Sequence, residues 1–197
     1  MTVLELDIPE VKLIIPDIHE DSRGYFFESF NDKEFKEKVC NTTFVQDNES
    51  CSVTGTVRGL HWQRPPFAQS KLVRVIKGAV YDVAVDIRKG SPTFGKFVGA
   101  YLSEHNHKQL FIPRGFAHGF CAIGYTGETN TIFQYKCDNL YNKASEAALA
   151  WDSCGIDWGH NLYNGKFILS EKDSHHPILE TINKDYLFDY NINYYEE

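Results

Sequence analysis

No stretch of this chain approaches the roughly 20 consecutive apolar residues that cross a bilayer as a helix, so no helical membrane span is expected. Basic residues are in deficit, with 20 Lys and Arg against 27 Asp and Glu and a formal charge of −7. A nucleic acid or an anionic membrane needs a basic face; neither is expected as a partner, and any phosphate site must be local. The glycine loops that cradle phosphates are missing, with no GxGxxG and no Walker pattern, and there is no Gly-x-Ser-x-Gly elbow for a serine nucleophile. The five cysteines, Cys40, Cys51, Cys121, Cys137 and Cys154, are odd in number and lack CxxC spacing. That argues against a disulfide framework or a zinc site and for buried thiols. Met1 to Asp7 hold neither a basic region nor an apolar run of signal-peptide length, which predicts a soluble, cytoplasmic protein.

What the 197 residues do contain is aromatic and strand-like: 14 Phe and 11 Tyr against a single Met favour sheets over helical bundles. Alternating or short apolar runs recur to about residue 136, clearest at Val11–Ile15, Leu72–Ile76, Ala79–Ile87, Phe97–Leu102, Gln109–Ile112, Gly119–Ile123 and Thr131–Tyr135. Gly78, Gly90-Ser91-Pro92, Glu104-His105-Asn106 and Gly124 to Gly127 supply turns. This pattern predicts one antiparallel sandwich or barrel domain, undivided by any repeat or linker. A helix is predicted over 31–39, capped by Asn31, with Glu34 in the capping-box position and Phe30 stapled to Phe35. Residues 137–165 read as loops with at most short helical turns, and 184–197 as a short helix followed by a loose tail.

Chemistry concentrates in Arg58-Gly59-Leu60-His61-Trp62-Gln63, in Lys71, and in Pro113 to Phe120, which carries His118. Histidine, lysine and arginine inside strand patterns are costly unless they are paired or do chemistry. Period-2 alternation puts Leu60 and Trp62 on one face and His61 and Gln63 on the other; with Lys71 and Arg74 in a neighbouring strand pattern, the second face reads as a wet cavity. A metal site is the rival, but the position two after His61 is Gln63, and His105-Asn106-His107 falls in a turn beside Lys108. Arg23, Arg58 and Arg74 could grip phosphate oxygens or form surface ion pairs. On local pattern alone, Tyr135 shares a face with Phe133 as a packing residue, and Asp173 is a solvated surface acid.

Taken together, the motifs resemble those of the dTDP-4-dehydrorhamnose 3,5-epimerase family. The matching segments are Asp21 to Phe30, Phe44 to Asn48, Arg58 to His61, Lys71 to Val75, Asp82 to Arg88, Ser91 to Gly95, Ile112 to Phe120, Gly155 to Trp158 and Leu169 to Asp173. They run in family order from about residue 8 to 177. The resemblance implies an all-β, cupin-type jelly roll, a homodimer with exchanged N-terminal strands, no metal or other cofactor, and a dTDP-linked 4-keto-6-deoxy sugar inverted at C3 and C5.

Carried over by motif, the resemblance implies His61 as the base, Asp173 as its orienter, Lys71 as the positive group at the C4 oxygen and Tyr135 as the opposite-face acid. His118 would line the same pocket. Arg23, Gln46, Asn48 and Arg58 would lie near the diphosphate, Phe26 and Glu28 at the thymine, and Tyr141 against the thymine or the sugar. Arg23, Phe26 and Glu28 fall in the segment that would serve the partner subunit. Two departures stand out: Trp62 where the family more often has Tyr, and Leu140-Tyr141-Asn142-Lys143 where Tyr-Tyr-Ala-Pro is usual. A single-carbon epimerase and a non-catalytic nucleotide-sugar binder are the alternatives on the same fold.

Overall fold

The structure is a computed structural model that describes residues 1–124, 130–159 and 166–196. Two antiparallel sheets face one another. The first runs in the order β1 (Thr2–Glu5), β2 (Lys12–Ile15), β11 (Gln109–Ile112), β7 (Lys71–Lys77), β13 (Asn130–Cys137), β5 (Gln46–Val53). The second runs β10 (Phe97–Ser103), β8 (Ala79–Asp86), β12 (Phe116–Ile123), β6 (Val57–Gln63), β14 (Glu146–Ala148). Strands adjacent in sequence mostly lie in different sheets, which is the jelly-roll connection expected for a cupin-type fold. A small hairpin of β3 (His19–Asp21) and β4 (Gly24–Phe26) stands apart, and β9 (Arg88–Lys89) pairs with β15 (Phe188–Asp189).

Alternation sorts the side chains into three apolar layers. Between the sheets, Val73, Val75, Leu110, Ile112 and Phe133 of the first meet Val80, Ala84, Leu102, Phe116 and Phe120 of the second. Behind the second sheet, Val83, Val85, Ala117 and Cys121 pack with Leu149, Trp158, Leu187 and Phe188 from the C-terminal third. Behind the first, Ile14, Leu72 and Phe111 are covered by Phe35 of α1 (Asp32–Lys38). This helix starts as the sequence predicts: Asn31 Oδ1 accepts the Glu34 N–H at 3.1 Å, and the Phe30 and Phe35 rings lie 5.7 Å apart. The Glu34 carboxylate does not close a capping box; it binds the N-terminal amine at 2.9 Å and Lys38 at 2.6 Å.

Three expectations change. The strand β5 has no apolar run to announce it: Gln46–Val53 alternates exposed and part-buried polar residues at the sheet edge. The 137–165 loop contains β14 between 3-10 turns at Lys143–Ser145 and Ser153–Gly155, although 160–165 lie outside the described residues, as do 125–129 of the turn expected after Gly124. The tail is not loose. Residues 184–186 form one 3-10 turn, Phe188 is 1% exposed, and the Tyr195 hydroxyl bonds Ser70 Oγ at 2.6 Å and accepts the Arg114 N–H at 3.1 Å. Aromatic residues that read as polar-tail composition are anchors, because each carries a large apolar body beside a polar tip.

Candidate active site

At one end of the sandwich the gap between the sheets opens into a pocket of about 280 Å³, lined by Gln46, Asn48, His61, Gln63, Gln69, Lys71, Tyr135, Tyr141 and Glu146. Cavities of similar or larger volume lie elsewhere, but this is where ionisable side chains from both sheets converge.

A β-bulge sets up the first wall. β6 and β12 pair His61 with His118 but Arg58 with Phe120, so β6 carries one extra residue. Gly59 occupies the bulge at φ +132, and a Cβ there would lie 2.5 Å from Gly119 Cα, which accounts for glycine at both positions. The bulge changes phase: Val57 shares the outer core with Leu60 and Trp62, while His61 and Gln63 line the pocket. Trp62 therefore turns its side chain into the outer core, its indole N–H donating to the Tyr186 carbonyl at 3.0 Å, although it still borders the pocket between His61 and Gln63.

His61 Nε2 lies 2.6 Å from Asp173 Oδ1. The acid is only 6% exposed rather than a solvated surface group. Its segment is laid against β6 by the Val57 N–H to Ile168 O bond (3.0 Å) and tied at its other end by the Ala150 N–H to Pro177 O bond (2.8 Å). Burial by itself would push the Asp173 carboxyl up, but the bonds from His61 and from the Ser170 hydroxyl, at 2.9 Å, together hold it below the usual carboxylate range. A carboxylate so held keeps the proton of the neutral imidazole on Nε2, leaving Nδ1 with a lone pair. His176 also approaches, its Nε2 3.5 Å from Asp173 Oδ1, and burial lowers its affinity for a proton.

The facing wall comes from the first sheet. Tyr135 points inward beside Phe133, as alternation predicts, and Lys71 Nζ lies 5.8 Å from the Tyr135 ring centre. Burial pushes the Lys71 ammonium below the ordinary lysine value and the Tyr135 phenol above its own. Lys71 and Tyr135 both line the pocket, where a ligand can meet them.

At the rim, Gln46 accepts the Tyr141 N–H at 3.0 Å and donates to Asn48 at 3.1 Å. Gln63 fastens the same loop, donating to Leu140 O at 3.1 Å and accepting the Asn142 N–H at 2.6 Å. Glu146 takes the Tyr141 hydroxyl at 3.2 Å and the Lys172 ammonium at 2.6 Å. Glu146, Gln69 and the loop-fastening role of Gln63 were not legible beforehand; only the alternation of Gln63 with His61 pointed their way.

Four predicted residues fall outside this pocket, and a fifth stands on its border. His118 is cross-strand from His61 and faces the same gap between the sheets, but lies deeper than the pocket lining, 7% exposed, stacked on Phe133 and with Nε2 3.0 Å from both oxygens of fully buried Asp82. Burial drives both members of that pair toward their uncharged forms. Arg58 is exposed and donates to Ser52 Oγ at 2.9 Å, with its charge acting on the Tyr135 phenol. Arg23, Phe26 and Glu28 do not reach the pocket of their own chain: Arg23 pairs with Asp21 at 2.6 Å, Phe26 is 68% exposed, and Glu28 contacts Asn31.

The family model for dTDP-4-dehydrorhamnose 3,5-epimerase matches residues 5–181. The chain belongs to this family. Relatives include the dTDP-4-dehydrorhamnose 3,5-epimerases of Shigella flexneri, 51% identical over 88% of this chain and 93% of the relative, and of Sinorhizobium fredii, 49% identical over 88% and 87%. Among solved structures, the dTDP-6-deoxy-D-glucose-3,5-epimerase of Legionella pneumophila in complex with dTDP-4-keto-L-rhamnose superposes with a TM-score of 0.90 at 41% identity, covering 97% of this chain and 99% of that one. The epimerase-family match stops at residue 181, so the docked tail from Ile182 onward lies beyond it.

Proposed function

We propose that the protein epimerises dTDP-4-dehydro-6-deoxy-D-glucose at C3 and C5, giving dTDP-4-dehydro-L-rhamnose without a cofactor. The observation that carries this is the His61–Asp173 contact of 2.6 Å on one wall of a pocket whose other wall presents Lys71 and Tyr135. A 4-keto group acidifies the C–H bonds on both sides of it, so the reaction needs a base, a cation for the enolate oxygen and an acid on the other face. His61 Nδ1 takes the proton while Asp173 stabilises the imidazolium that results. Lys71 faces the C4 oxygen, where negative charge develops as the C–H bond breaks. Tyr135, on the opposing sheet, returns a proton to the opposite face of the ring, and that difference of face is what inverts the carbon.

The pocket is of a size for the sugar, and the nucleotide would run outward past Gln46, Asn48, Arg58 and Tyr141. Arg23, Phe26 and Glu28 would reach the site of a second subunit in a cytoplasmic homodimer with exchanged N-terminal strands. Every residue of the β3–β4 hairpin is exposed, with Tyr25 at 59% and Phe26 at 68%, which leaves aromatic surface for a partner to cover. NMR of the product separates double from single inversion. The proposal expects L-configured 4-keto sugar from the wild type and none from His61→Ala; a product inverted at one carbon, or unimpaired turnover by His61→Ala, would contradict it.

A further inference from the structure

Behind the His61 ring, on the side away from the substrate pocket, three donor atoms converge: His61 Nε2, an Asp173 carboxylate oxygen and His176 Nε2 all lie within 4.8 Å of one another. His176 Nε2 is buried and makes no hydrogen bond; its nearest acceptor is Asp173 Oδ1 at 3.5 Å. Two nitrogens and one carboxylate oxygen form a donor set that suits zinc, whose bonds of about 2.0–2.2 Å in tetrahedral geometry set donors roughly 3.4 Å apart. The present separations of 2.6 Å for His61–Asp173 and 3.5 Å for His176–Asp173 bracket that spacing. Asp173 is steadied for the task by Ser170, which donates to its other oxygen at 2.9 Å. The nearest cation, Lys172, is already held by Glu146 at 2.6 Å.

We propose that His61, Asp173 and His176 form an inhibitory site for a zinc-type divalent cation, completed by water, that shuts the enzyme off from behind its base. Access does not require the substrate pocket. A second cavity of about 440 Å³, lined by Lys143, Lys172, Thr181 and Tyr186 among others and sharing Glu146 with the substrate pocket, is also lined by His176. The inhibition follows from proton accounting and rests on His61 Nδ1 being the base. A metal on Nε2 needs that nitrogen's lone pair, so the one proton of the neutral imidazole moves from Nε2 to Nδ1, and Nδ1 can no longer accept a proton from the sugar. The His61–Asp173 hydrogen bond is given up in exchange for metal bonds from His61, Asp173, His176 and water, and no covalent bond other than the relocated N–H forms or breaks. Because the pocket itself stays open, bound metal removes active enzyme without displacing substrate.

The test uses the full chain freed of metal with EDTA. Titrating Zn²⁺ into the epimerase assay is expected to abolish turnover at micromolar concentration, with kcat falling, KM within twofold of its starting value and full recovery on adding EDTA; Mg²⁺ should do nothing. His176→Gln should raise the half-inhibitory Zn²⁺ concentration at least tenfold. Independently of turnover, one equivalent of Co²⁺ should give the visible absorption of a tetrahedral site, lost in His176→Gln and His176→Asn and kept in Cys51→Ser, which removes an exposed competing thiol. Zn²⁺ inhibition that is absent up to millimolar, or equal in His176→Gln and wild type, overturns the proposal, as does a Co²⁺ band indifferent to both His176 variants. If His61→Ala retained turnover, the base assignment would fall, and the Co²⁺ band would still decide whether the site exists.

Discussion

Gly59 and Gly119 cross so closely that a single methyl group on Gly59 would lie 2.5 Å from Gly119 Cα. That crossing is the bulge that fixes where β6 turns His61 toward the pocket. Gly59→Ala should therefore cost about 1–3 kcal/mol of stability by overpacking. It should also lower kcat by roughly 10²-fold through displacement of the base by an ångström or so. Chemical denaturation and steady-state kinetics on the same preparation check both, and an alanine variant of normal stability and rate would remove the bulge from the account.

Lys71 must carry its charge to stabilise an enolate. Burial lowers its pKa from the ordinary 10.5, so the protonated, active form is lost as pH rises through a value below 10.5. Tyr135 is shifted the other way, above 10.0, first by burial, and stays protonated across the same range. The alkaline limb of the kcat profile is thus expected below the ordinary lysine value of 10.5 and assigned to Lys71. Lys71→Met should abolish that limb and reduce kcat by roughly 10²–10³-fold; a limb that persists unchanged in Lys71→Met would belong to another group.

Acid stability is expected to depend on Asp86, whose side chain is fully buried and accepts Arg88 at 2.7 Å, Ser91 at 2.6 Å and Thr93 at 2.6 Å. Burial opposes its ionisation, but Arg88, Ser91 and Thr93 together hold the carboxyl below 3.8. The unfolded chain therefore binds more protons than the native one in this window, so stability rises with pH there. The contribution is full above pH 3.8 and is lost as pH falls through the lower folded value. Asp86→Asn should cost about 1–3 kcal/mol at pH 7, because it removes charged hydrogen bonds to a buried carboxylate and leaves Glu10, at 2.8 Å, as the carboxylate partner of Arg88. Its stability should then vary less than that of the wild type from pH 4 downward, as read by urea titrations at several pH values.

The C-terminal extension should matter to stability. Phe188 and Leu187 belong to the core behind the second sheet, and Trp62 donates its indole N–H to Tyr186 O. Burying one such side chain is worth about 1.5–3 kcal/mol. At about 2–4 °C per kcal/mol for a chain of this size, deleting residues 184–197 should lower Tm by at least 5 °C. A truncated protein with an unchanged melting temperature would mean the tail merely rests on the surface.

How much of this was legible in the sequence depends on whether apolar contrast or distance carried the information. The apolar strands, the Asn31 cap and the opposition of Leu60 and Trp62 to His61 and Gln63 follow from local periodicity, and the structure has them. Period 2 could not place Val57 and Leu60 in one core, because the extra residue at Gly59 resets the phase. It could not announce β5 either, since an edge strand of Gln, Asp, Asn, Glu and Ser carries no apolar contrast. Asp173 is 112 residues from His61, and no pattern along the chain joins them; only motif order suggested the pair. His118 does face the gap between the sheets, as its strand pattern implies, but its bond to buried Asp82 keeps it below the pocket lining. The tyrosines of the tail looked like loose polar composition because burial is decided by what they land on.

The central claim is proton transfer on two faces, with His61 removing and Tyr135 returning the proton. The most direct measurement is incubation of the dTDP-4-keto-6-deoxy sugar in deuterated water, with NMR reading both label and configuration at C3 and C5. The wild type should give deuterium and inversion at both carbons, Tyr135→Phe deuterium with the starting configuration retained, and His61→Ala neither. Inversion at the wild-type rate in Tyr135→Phe, or undiminished exchange in His61→Ala, would contradict it.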